Sequence, residues 1–162
     1  MSLKINCPTD HAIFLFGVPM ADNGVFLFPS TQAQLPGLHI HVSHGIPIHI
    51  QLVELVQNEI GQDIKPSEIH IFQEFAEQVQ YEGKSFTLYT GFTKEKRKIP
   101  LLHWHTLPDI LRKMGKHGHR LSYLKAWQVQ TGALEQNVRA VEMDDKELDE
   151  LVKERSQSKE EV

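Results

Sequence analysis

Four histidines, His39, His41, His44 and His49, crowd into eleven consecutive positions and are followed by Glu54, Asn58 and Glu59. Imidazoles bind zinc or iron and exchange protons near neutral pH. Carboxylates and amide oxygens suit hard ions such as Mg²⁺ or Mn²⁺. His39 and His41, two apart on a strand, would point to one side and could begin a metal site. The competing account is preferred: surface histidines alternating with core Leu38, Ile40 and Val42. Two basic clusters come later, Lys94, Lys96, Arg97 and Lys98, then Arg112, Lys113, Lys116, His117, His119 and Arg120. Either could hold phosphate or RNA. Solvated loops and helix ends, which also favour cations, are the simpler explanation of both.

The elements that must carry these groups follow from hydrophobic period and turn chemistry. Ala12 to Val18 is a continuous apolar run, as in a buried strand. Asp22-Asn23-Gly24 marks a turn, Val25 to Phe28 a second strand, and Leu38 to Val42 a short third one. A helical stripe through Leu52, Val53, Leu55, Val56 and Ile60 starts near residue 47 or 48, with Pro47 in its first turn and Gly61 as a C-terminal cap. Ile46, Ile48, Ile50 and Leu52 also fit a strand period, and the helix is preferred. Glu68 to Tyr81 alternates as one strand, with Ile69, Ile71, Phe75, Val79 and Tyr81 on one face. Glu82-Gly83 turns it back into Phe86 to Phe92, a β-hairpin. Thr106 caps a helix with Pro108 just inside it, ending near Met114. Leu121, Leu124, Ala126, Trp127 and Val129 mark a further helix ended by Gly132. Trp104 and Trp127 sit in apolar patterns that suit packing on a sheet.

The chain has 162 residues, enough for one domain with one core. Residues 142–162 hold nine acids and four Lys/Arg, which leaves twelve acids against thirteen Lys/Arg in residues 1–141. A nearly neutral body is no footprint for strong non-specific nucleic-acid binding. The single cysteine, Cys7, allows no internal disulfide and lacks any neighbouring signal of a catalytic thiol. The cytoplasm is the expected compartment. No apolar run reaches the length of a membrane span, and the N-terminal segment reads as a strand and not as a signal peptide.

Leu35-Pro36-Gly37, then Gly45, then a helix closing at Glu59-Ile60-Gly61, together resemble the signature of the Nudix hydrolase superfamily. The run from Trp104 to Leu111 resembles the tryptophan-plus-helix segment after that family's last core strand, and the element order matches over roughly residues 10–130. The family's box places three glutamates at i, i+3 and i+4 on one side of a helix, where they hold Mg²⁺ or Mn²⁺ against a diphosphate. Aligned on Gly61, Glu59 matches the last of these glutamates, Asn58 stands at the preceding one and Leu55 at the first. Glu54 replaces the arginine, Ile46 the early glutamate, and Leu38 the second glycine of the turn. Glu54 and Glu59 would lie roughly 140° apart around a helix axis, too far to share an ion. The loop before Trp104, Lys96 to Leu102, is basic, with Glu95 the nearest carboxylate.

The resemblance implies an α/β (α+β) fold: a Nudix-like α/β/α sandwich with a mixed β-sheet. It would span residues 1–142 as a single domain, with a charged C-terminal helix or tail at 143–162. In function it implies a module with a degenerate box that binds a nucleotide-like molecule, RNA or a protein without catalysis. The alternative is a divergent metal-dependent pyrophosphohydrolase of nucleoside-diphosphate-linked compounds. In that case Glu59 and Glu54 would carry the chemistry, Glu59 and Asn58 would hold Mg²⁺ or Mn²⁺, and Lys94, Arg97 and Lys98 would contact phosphate. The family admits a homodimer, and no membrane partner is expected.

Overall fold

A computed structural model describes residues 6–20, 25–30, 35–115 and 118–134. The turn expected at Asp22–Gly24, Lys116 and His117 of the second basic cluster, and the charged helix or tail expected at 143–162 lie outside the described residues. Seven strands are found among the described residues: β1 (His11–Pro19), β2 (Phe26–Pro29), β3 (Leu38–His41), β4 (Ile69–Ile71), β5 (Glu77–Tyr81), β6 (Lys84–Thr93) and β7 (Trp104–His105). Three α-helices join them, α1 (Ile48–Glu59), α2 (Leu107–Met114) and α3 (Arg120–Leu134).

β1 and β6 pair in parallel at the centre of one mixed sheet, from His11↔Phe86 to Gly17↔Phe92. On its other edge β1 is shared. Its first half pairs antiparallel with β3 (His11↔His41 to Phe14↔Leu38), and its end pairs with β2 (Val18↔Leu27). The two partners diverge around Leu15–Gly17. Gly17 sits in that fork, where a Cβ would lie 2.7 Å from the Phe26 ring and 3.3 Å from Gln130 Nε2. The Gln130 amide, fully buried on α3, donates from Nε2 to the carbonyls of Leu15 (3.0 Å) and Gly91 (2.7 Å).

Both faces of β1 are buried because helices cover both, which is why its sequence is continuously apolar. Ile13 and Leu15 face α2 and α3 and pack with Phe28, Leu88, Ile110 and Tyr123. Ala12, Phe14, Phe16 and Val18 face α1 and pack with Ile48, Leu52 and Val56. The result is the expected α/β/α layering. Thr106 caps α2 by accepting from Asp109 N, with Pro108 in the first turn, as its sequence implied. The hairpin of β5 and β6 turns through Glu82 (φ 49°) and Gly83 (φ 78°), a two-residue loop with both φ positive that matches strand twist.

Three expectations fail. The strand expected over Glu68 to Tyr81 is broken by a 3₁₀ turn at Gln73–Phe75. β4 pairs Ile69 to Ile71 with Thr93 to Gly91, and β5 pairs Glu77 to Tyr81 with Leu88 to Lys84. The extra residues between them reverse the parity. Ile69 and Ile71 pack on the α1 side, whereas Val79 and Tyr81 pack on the α2–α3 side. Gly61 is not a left-handed cap: α1 ends at Glu59, and Ile60 holds a right-handed conformation with its N–H on Val56 O. A Cβ at Gly61 would instead lie 2.5 Å from Asp63 Oδ1, so glycine there makes room for a carboxylate. Gly132 does not end α3 but is buried within it, because packing against the sheet outweighs its weak helix propensity.

Candidate ligand site at the end of the first helix

The Leu35–Gly37 turn enters the site from the sheet side. Leu35 is buried against the α2–α3 core. Gly37 has φ 120°, and a Cβ there would lie 2.8 Å from Ile13 Cγ2 and 3.2 Å from Phe14 O, so the position admits only glycine without strain. Tyr123 Oη donates to Pro36 O at 2.5 Å, and burial pushes its phenol pKa well up. His39 Nε2 donates to Leu35 O at 2.6 Å.

α1 turns Ile48, Gln51, Leu52 and Val56 inward, at helical spacing. Gln51 is the polar member of that stripe and answers to the loop before the helix. Its Oε1 accepts from Ser43 N, and its Nε2 donates to Ser43 O and Ile46 O, each at 2.9 Å. Its role has no signal in the sequence beyond a glutamine on an apolar face.

The outward side of α1 carries the residues expected to do chemistry. Glu54, Asn58 and Glu59 are exposed, and Leu55 is half-buried against the α1-side core. Asn58 Oδ1 accepts from Gln62 Nε2 at 3.0 Å. Beyond the helix, Gln57 Nε2 donates to Ile64 O at 2.9 Å and folds the chain back. Asp63 then meets Arg97, with Nη2 to Oδ2 at 2.5 Å. That hydrogen bond holds the Asp63 carboxyl below its ordinary range. Arg97 is 21 % exposed, Asp63 68 %. Asp63 was not anticipated from the sequence, because its partner lies thirty-four residues away.

The basic loop therefore does approach the end of α1, through Arg97. Its backbone N–H bonds Pro19 O at 3.1 Å, and its guanidinium comes within 3.9 Å of where a Gly61 Cβ would be. Lys94 and Lys98 are exposed. Lys94 lies near His70, whose pKa is lowered first by burial and then by that lysine. Glu95 is exposed, with its N–H directed at Thr93 Oγ1.

A hard divalent ion needs several oxygen ligands. At the last turn of α1 these residues offer the Glu59 carboxylate and an Asn58 oxygen already bonded to Gln62. Among the described residues no group of three or more His, Cys, Asp or Glu is arranged to hold a metal. The donor set present does not fit a Mg²⁺ or Mn²⁺ cluster.

The histidines scatter over three elements. His39 is not a surface residue as expected. It is half-buried, its ring lies 5.7 Å from Phe86, and burial lowers its pKa. His41 is exposed, directly opposite His11 with ring centroids 4.9 Å apart. His44 donates to Asp10 Oδ1 at 2.9 Å, and His49 lies exposed on α1. In the second basic cluster Arg112 pairs with Asp109, Lys113 Nζ donates to His105 Nδ1 at 3.2 Å, and His119 Nε2 donates to Gln80 O at 2.6 Å.

A mixed sheet with one helix on one face and two on the other, entered through a Leu-Pro-Gly turn, is a Nudix-like α/β/α fold. The crystal structure of C. elegans Ap4A hydrolase, a Nudix enzyme, matches it with a TM-score of 0.51 over 74 % of this chain and 95 % of that one, at 16 % identity. The likeness is one of fold. No family model matches the sequence, and neither does any curated protein.

Proposed function

We propose that this chain is a Nudix-fold module with a degenerate box that binds a phosphate-bearing nucleotide without hydrolysing it. One observation carries the reading. Of the three box positions that should present carboxylates on one side of α1, only Glu59 does; Leu55 is half-buried in the core and Asn58 is bonded to Gln62. Glu54, roughly 140° from Glu59 around the axis, does not complete the set. What the site offers a phosphate instead is the Arg97 guanidinium, anchored through its own backbone beside the end of α1, with Lys94 and Lys98 in the same loop. RNA or a protein could use the same cations. Nucleotide is preferred because the body of the chain carries almost no net charge.

The second reading is a divergent pyrophosphohydrolase of nucleoside-diphosphate-linked compounds. The matched structure favours it, since that protein is an Ap4A hydrolase. Pure protein incubated with Mg²⁺ or Mn²⁺ and a panel of dinucleoside polyphosphates, nucleotide sugars and nucleoside triphosphates separates the two. Saturable binding in calorimetry without turnover is the expected result. Turnover abolished by Glu59→Gln would reject the binding-only reading and install the hydrolase.

A further inference from the structure

The segment Lys94–His103 is tied down at both ends. Arg97 bridges to Met20, the residue after β1, and Trp104 pairs with Pro29 of β2. Between the ties the chain makes a closed turn: Trp104 N donates to Leu101 O at 3.3 Å, and Ser30 N donates to His103 O at 3.0 Å. His103 adopts φ 66°, a left-handed conformation that costs a histidine free energy and that glycine or asparagine would fill more easily. This fixed turn holds two adjacent leucines in water. Leu101 is 65 % exposed and Leu102 74 %, whereas the other exposed large apolar residues among the described residues, Val25, Ile46 and Ile50, lie between 40 and 46 % and belong to other parts of the chain.

The shoulder of the turn is cationic. Arg97 directs its side chain at Asp63, and its neighbours in sequence are Lys96 and Lys98. Both are exposed, and Glu95 is the one acid among residues 94–103. We infer that the Leu101–Leu102 turn docks this protein on an anionic lipid surface, with the leucine pair entering the interface and Lys96 and Lys98 among the headgroups. A protein partner would require a contiguous apolar patch of several hundred Å². Two side chains on one turn do not supply that. On a bilayer interface an inserted apolar tip and adjacent cations add their contributions, and binding of this kind is weak and reversible. The expectation of no membrane partner came from the lack of an apolar span, and indeed no helix among the described residues is long and apolar enough to cross a membrane. A two-residue apolar tip leaves no periodic signal.

The test uses the full chain and sedimentation with vesicles of phosphatidylcholine alone or mixed with phosphatidylserine. The expected result is binding to the mixed vesicles that weakens with salt, and little binding to the neutral ones. The double variant Leu101→Ser/Leu102→Ser should bind the mixed vesicles about tenfold more weakly at an unchanged Tm. Lys96→Glu/Lys98→Glu, a second variant at exposed positions, should lose the preference for phosphatidylserine. Three outcomes overturn the inference: no sedimentation with mixed vesicles, equal binding by the leucine variant, or a dimer in analytical ultracentrifugation that the leucine variant abolishes. The last would place a second copy on the turn.

Discussion

Leu35–Gly37 and Glu54–Asp63 are two parts of the candidate site that are held in opposite ways. At the first, a buried leucine, a tyrosine from α3, a histidine from β3 and a glycine against β1 fix the backbone from several sides. At the second, Glu54, Asn58 and Glu59 face water, and the bonds found there, Asn58 to Gln62 and Arg97 to Asp63, each have at least one exposed partner. The difference separates two kinds of constraint. The turn is needed for the sheet to meet the helices, whatever the protein does. Carboxylates on a helix surface contribute nothing to packing, so the fold persists when they are replaced.

Five substitutions sharpen or break that contrast. Gly37→Val should cost the most, about 3 kcal/mol in urea unfolding, since it combines a positive φ with close approach to Ile13 and Phe14 O. A loss under about 1 kcal/mol would mean that the turn is not pinned. Gln51→Leu should cost about 2 kcal/mol by the same measurement, because the Ser43 and Ile46 backbone groups lose their partners.

The third prediction concerns pH. Burial depresses the His39 pKa in the folded chain from an ordinary 6.5, so the unfolded chain binds more protons below that value. The stability from neutral His39 is therefore complete above about pH 6.5 and declines as pH falls toward the depressed value. His39→Gln should flatten the Tm profile between pH 7 and 5; an unchanged slope would assign it to other histidines. The smallest effect is expected at the exposed end. Asp63→Ala should change stability by less than about 0.5 kcal/mol. It should also tighten nucleotide binding a few-fold by releasing Arg97, whereas Arg97→Ala should weaken it. Equal binding by both variants would remove Arg97 from the site.

Much of this architecture could be read from local signals. The uninterrupted apolar run of β1, the Glu82-Gly83 hairpin turn, and Thr106 with Pro108 at the head of α2 depend on neighbours in sequence, and each forms as those neighbours imply. The break at Gln73–Phe75 was not legible, because alternation survives on either side and only the register with β6 shows the change of face. Gln51 and Asp63 escaped for a related reason. A glutamine on an apolar stripe and an aspartate after a helix acquire their roles from Ser43, Ile46 and Arg97, which only folding brings alongside.

The Gln130 amide has a consequence for how the molecule comes together. Leu15 on β1 and Gly91 on β6 each offer a carbonyl to it, and it arrives on α3, the last helix among the described residues. Until α3 docks, both carbonyls lack this donor, and a buried acceptor is costly to leave short of partners. Chains lacking this helix should therefore stay partly hydrated at their middle, and the sheet is completed only when α3 docks.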